Sequence, residues 1–74
     1  MEQITIPIAK EWNFTPASLM NYYAKQTPGV TFYRTHYGKP WLILKGNAYQ
    51  YHHWSIATRN GVTFVTMFLD IVTT

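Results

Sequence analysis

Residues 41 to 54 constrain the fold more than any other part of the chain. Two runs rich in apolar and aromatic residues, Trp41-Leu42-Ile43-Leu44 and Ala48-Tyr49-Gln50-Tyr51, flank Gly46-Asn47. A glycine at the first central position suits the positive φ of a type II′ turn. The spacing therefore predicts a β-hairpin with Gly46 and Asn47 as its loop, Lys45 facing Ala48, Leu44 facing Tyr49, Leu42 facing Tyr51 and Trp41 facing His52. Side chains alternate across a strand, so this register sorts the hairpin into two faces. One holds Trp41, Ile43, Gln50, His52, Trp54 and Ile56; the other holds Leu42, Leu44, Tyr49, Tyr51 and His53. Neither face is cleanly polar, and that double-sidedness is the main pointer to function.

The rest of the chain supplies a sheet for the hairpin to join. Ile4, Ile6 and Ile8 alternate with polar positions, and Pro7 cannot donate to a ladder, so this segment predicts an edge strand. At Phe14 the pattern changes. Thr15 suits an N-cap, Pro16 the first helical position, and Phe14 a hydrophobic staple onto Leu19, which predicts a helix over 16–26 ended by Thr27-Pro28-Gly29. That helix places Leu19, Tyr22 and Tyr23 on one stripe with Met20 beside it. Val30 to Tyr37 is β-branched and aromatic and reads as a strand, closed by Gly38-Lys39-Pro40, with His36 opposite Leu42 and Arg34 opposite Leu44. Asn60-Gly61 is a strong hairpin signal that sets Arg59 opposite Val62, and 62–72 is a long strand.

These elements predict a single α+β domain over 1–74, β-α-β-β-β, with one helix packed on a mainly antiparallel sheet. Carrying the register through the turns puts Tyr33, Tyr37, Trp41, Ile43, Trp54, Ile56, Val65, Met67 and Leu69 under the helix. The opposite face collects Phe32, Arg34, His36, Leu42, Leu44, Tyr49, Tyr51, His53, Phe64 and Phe68. A bulge in any strand would exchange part of one list for the other.

Composition narrows the class of function. The chain has 74 residues and no cysteine, so it is one small domain without a disulfide framework or thiolate metal site. No apolar run approaches the ~20 residues that span a bilayer, and the amino terminus lacks a basic region followed by an apolar core. A soluble, cytoplasmic protein without a signal peptide and without membrane association is expected. Aromatic residues make up 18% of the chain and charged residues only 12%. That inverts an ordinary soluble surface and predicts aromatic surface covered by a partner. The only acids are Glu2, Glu11 and Asp70, whereas the acid-free interval between Glu11 and Asp70 carries Lys25, Arg34, Lys39, Lys45 and Arg59. Such a block attracts polyanions.

Two binding functions follow. In the first, Arg34, His36, Tyr49, Tyr51 and His53 form a platform on which bases of single-stranded nucleic acid stack, with Lys39, Lys45 and Arg59 neutralising phosphates. In the second, the aromatic surface binds a protein, as in small inhibitors of larger enzymes of the kind phages and mobile elements encode. The uncharged strand 62–69 needs cover from residues 4–8 or from a second copy of the chain, which makes a homodimer an expected outcome. Catalysis is not expected, because His52 and His53 point to opposite faces of a strand and enter one site only across a bulge. No cofactor or metal is expected, since neither an HExxH pattern nor a cysteine ligand is present.

Ile6-Pro7-Ile8, Thr15 opening a helix through Tyr22-Tyr23, Thr31-Phe32-Tyr33-Arg34, Trp41-Leu42-Ile43 and Gly46-Asn47 together resemble small excisionase-type winged-helix proteins over residues 6 to 54. The resemblance implies DNA binding by a small winged helix, with a recognition helix starting at Thr31 to Arg34 and a wing around Gly46-Asn47. It further implies that Tyr33, Arg34, His36 and Lys39 meet the major groove and Lys45 the backbone. The chain departs from that pattern in its β-branched, aromatic recognition segment and in its carboxy-terminal strand, so the sheet-based fold is the primary expectation.

Overall fold

The six elements run β1 (Glu2–Ile8), α1 (Pro16–Gln26), β2 (Thr31–Arg34), β3 (Pro40–Leu44), β4 (Asn47–Arg59) and β5 (Val62–Ile71) in a computed structural model that describes residues 1–34 and 39–72. All five strands join one antiparallel sheet in the order β1-β5-β4-β3-β2. The α+β class is as expected. The sheet has one strand more than the expected string, because residues 41–54, one unit in that string, contribute both β3 and the start of β4.

Local chemistry explains the helix. Thr15 is extended, its side-chain oxygen accepts from the Ser18 N–H at 3.1 Å, and its own N–H donates to the Ser18 hydroxyl at 2.8 Å. This reciprocal capping box satisfies two donors that the first turn otherwise leaves bare, with Ser18 in the place usually taken by Glu or Gln. Leu19 and Met20 are fully buried, Tyr23 and Ala24 pack beside them, and Tyr22 turns outward to Trp12, with ring centroids 5.5 Å apart. The buried stripe is thus 19-20-23-24, one step around from the expected one.

Both hairpins use two-residue turns with positive φ at each central residue, 51° and 81° at Lys45-Gly46 and 50° and 78° at Asn60-Gly61. That is the type I′ pattern. Arg59 faces Val62 as expected. In the first hairpin the loop is Lys45-Gly46, not Gly46-Asn47, so Leu44 faces Asn47, Ile43 faces Ala48, Leu42 faces Tyr49 and Trp41 faces Gln50. The right-handed strand twist matches a type I′ turn as well as a type II′ turn, and the chain takes the one that puts its glycine second. The slip is two positions in pairing, so the face of each side chain is unchanged. Between β2 and β3, Arg34 faces Pro40 and Phe32 faces Leu42. His36, Tyr37 and Gly38 lie outside the described residues.

Which face the helix covers differs from expectation. The buried core is Ile4, Ile6, Leu19, Met20, Leu42, Leu44, Val65, Met67 and Leu69, with Phe32, Tyr49 and Tyr51 packed against it. Leu42, Leu44, Tyr49 and Tyr51, expected outside, are therefore inside, and Tyr33, Trp41 and Ile43, expected inside, lie on the other face. Trp54, Ile56, Val65, Met67 and Leu69 are on the helix side as expected. The two halves reconcile through a bulge: Tyr51 faces Leu69 while His53 faces Phe68, leaving His52 as the extra residue. One extra residue inverts the alternation of everything beyond it.

Its location has a physical reason. β3 ends at Pro40–Leu44 and pairs with β4 only as far as Gln50, whereas β5 accompanies β4 to Arg59. The bulge falls where β4 leaves its β3 neighbour, so it disturbs pairing on one side only. β1 caps the other side of β5, from Ile8 opposite Thr63 to Glu2 opposite Leu69. It is an edge strand, as its proline predicts. β5 is therefore covered within the chain, and the carboxy-terminal strand offers no free edge over 63–69. Among the described residues no helix is long and apolar enough to cross a membrane.

Candidate nucleic-acid interface on the uncovered sheet face

Among the described residues, no helix or strand covers the sheet face opposite α1. Cross-strand rows there run Tyr33–Trp41–Gln50–Asp70, His53–Phe68–Gln3, Ser55–Thr66–Thr5 and Ala57–Phe64–Pro7, and Arg59 ends the face beside Val62. Two aromatic groups stand on it. Tyr33 and Trp41 are tilted neighbours, with centroids 5.4 Å apart. His53 stacks on Phe68 at 4.4 Å with the planes 9° from parallel, and His52 meets His53 edge-on at 4.7 Å. The Trp41 indole N–H is enclosed and finds no acceptor among the described side chains and backbone.

The bulge decides the histidine geometry. On a regular strand His52 and His53 would point apart. Here their Nδ1 atoms are 2.5 Å apart, and His52 Nε2 lies 3.9 Å from an Asp70 carboxylate oxygen, with both side chains about half exposed. Among the described residues no three metal-ligating side chains converge.

The sequence-predicted site residues scatter. His53 and Arg59 reach the uncovered face, Arg59 beside a shallow depression formed with Thr5, Ala57, Phe64 and Thr66. Lys39 lines a depression with Pro40, Gln50 and Tyr51 at the margin of β3 and β4. Lys45 is exposed in the first turn, and Arg34 is exposed at the end of edge strand β2, on the helix side by its pairing with Pro40. Tyr49 and Tyr51 are half-buried against the core. Burial raises the Tyr51 pKa above its ordinary 10.0, opposed by a hydrogen bond with Trp54 that favours the phenolate. The platform of Arg34, Tyr49, Tyr51 and His53 on one face is thus not formed, because helix burial takes the tyrosines and the bulge separates them from His53. His36 lies outside the described residues. Thr31 to Arg34 is strand β2, where the winged-helix resemblance implies a helix.

Tyr33, Trp41 and Phe68 form the uncovered face alongside His53; the sheet-based sequence reading put Tyr33 and Trp41 under the helix, and only the winged-helix resemblance gave Tyr33 a binding role. A signal was available: if the aliphatic pairs Leu42/Leu44 and Met67/Leu69 share one core, a bulge must lie between 49 and 56. A second aromatic group on the helix side, Trp12, Phe14, Tyr22 and Trp54, is held by edge-on contacts of 5.0 to 6.0 Å. Trp54 and Ile56 remain 40% and 49% exposed there. Compared with protein-family models, curated proteins and solved structures, the chain finds no match.

Proposed function

We propose that this is a non-enzymatic binding protein that holds single-stranded nucleic acid on the uncovered face. Bases stack on Tyr33/Trp41 and on His53/Phe68, while Arg59 and Lys39 at the margins neutralise phosphates. The supporting observation is that both ring groups stand on a sheet face with no helix over it, which is the arrangement a stacking platform needs. Base stacking on an aromatic ring contributes roughly 1–3 kcal/mol. Titration of the protein's tryptophan fluorescence with oligothymidylate and oligouridylate tests it: Trp41→Ala and Phe68→Ala should each weaken binding by about fivefold or more. Equal affinities in wild type and both variants would remove the platform.

A protein partner is the second reading, favoured by exposed Trp54 and Ile56 beside the part of β4 that β3 does not pair. Trp and other large side chains dominate such interfaces. Capture from lysate with and without nuclease separates the two, because a protein partner held at Trp54 survives nuclease and is lost in Trp54→Ala.

A further inference from the structure

β4 has only one strand neighbour along its second half. Among the described residues its β3 side is paired from Asn47 to Gln50, whereas β5 accompanies it to Arg59, so beyond the His52 bulge that side is an open strand edge. Residues 52–59 are exposed throughout. An open edge presents unpaired N–H and C=O groups in a row, and the partner that satisfies such a row is another β-strand. The outer edges of the sheet are guarded. β1 contains Pro7 and starts at Glu2, while β2 is four residues long and ends at Arg34, devices that discourage strand addition. Trp54 to Thr58 contains neither proline nor charge.

We propose that this edge pairs with the same edge of a second copy of the chain, antiparallel about a two-fold axis at Ile56. The dimer deepens the protein-partner reading by naming that partner, and it is independent of the nucleic-acid reading. Both ends of the free segment set the register. After Arg59 the chain turns at Asn60-Gly61, and before His53 the bulge and then β3 close the edge. With Ile56 on the axis, Ile56 meets the partner's Ile56 and Trp54 meets the partner's Thr58 on the helix side, so the apolar side chains left exposed there cover one another. On the other face Ser55 meets the partner's Ala57, and His53 meets the partner's Arg59, so the arginines do not face each other. Moving the axis to Ser55 would drive Asn60 against the partner's Gln50, where β3 is already paired. Moving it to Ala57 would carry Trp54 past the end of the strand, opposite the partner's Asn60. The free segment therefore fits its own copy in one register.

Sedimentation velocity of the full chain over about a hundredfold range of concentration tests this, and the species should shift towards twice the chain mass. Raising the salt should leave the association unchanged or slightly tighter, since each copy carries a net charge of +3. Amide exchange over residues 53–59 should slow as concentration rises. Ile56→Lys sets two ammonium groups together on the axis and should keep the protein monomeric throughout. Ile71→Lys, at a residue 51% exposed against 49% for Ile56 but away from this edge, should still dimerise. Thr58→Lys, on an exposed side chain outside the core, should weaken association by about tenfold even where the Ile56 variant does not fold. A wild-type chain monomeric at every concentration would overturn the dimer; capture of a nuclease-resistant protein through Trp54 would then keep the protein-partner reading with a foreign strand on the edge. A dimer that withstands both Ile56→Lys and Thr58→Lys would overturn this edge as its seat.

Discussion

Leu42 shows how much one side chain decides. It is fully enclosed between the sheet and α1, so Leu42→Ala removes buried methyl groups and leaves a cavity. The expected loss is about 2–5 kcal/mol in urea unfolding, whereas Ile43→Ala on the uncovered face should cost far less. Were Ile43 the costlier substitution, the assignment of faces would be inverted. Tyr51 reports on the same burial through protonation. Its phenol is held above its ordinary 10.0 chiefly by desolvation, so the native state binds that proton more tightly than the unfolded chain. The stability this contributes is present below pH 10.0 and is lost as pH rises through the raised value. Tyr51→Phe should flatten the fall in melting temperature above pH 10; an unchanged alkaline profile would mean the phenol is solvated.

At the level of the elements, the β4 bulge and the two turns carry the design. Deleting His52 restores a ladder in which Tyr51 faces Leu69 and His53 faces Phe68 without interruption, keeping each side chain on its present face. The shortened protein should fold with nearly the parent's stability, read from its denaturant midpoint. Global unfolding on deletion would show that the bulge also stabilises the strand. In the first turn Lys45 adopts φ 51° without the tolerance of asparagine. Lys45→Asn should raise stability by up to about 1 kcal/mol, read from the denaturant midpoint at constant m-value.

For the whole molecule, the sheet is a boundary between two environments, and the aromatic residues are divided between them. Tyr49, Tyr51 and Phe32 serve the core, while Tyr33, Trp41, His53 and Phe68 face outward. If the outward set binds nucleic acid, its contacts should sort by type: Arg59→Gln should lower the salt slope by about 0.7, whereas Phe68→Ala should lower affinity with little change in slope. A Phe68→Ala protein with an altered slope would place a phosphate, not a base, at that ring.

Much of this was legible in the residues. Thr15-Pro16 announced the helix, Pro7 an edge strand and Asn60-Gly61 a hairpin, because capping, a missing N–H and positive φ are local properties that a residue carries with it. Hydrophobic alternation likewise grouped the side chains of each strand correctly within each half of the sheet. What no local rule could supply was the relation between the halves. Whether Leu42 and Leu44 join Met67 and Leu69 in one core depends on a single unpaired residue, and His52 becomes that residue only because β3 stops there and the helix demands the aliphatic side. Local sequence determined the strands, helix and turns; the competition among distant segments for burial decided which face was left to the solvent.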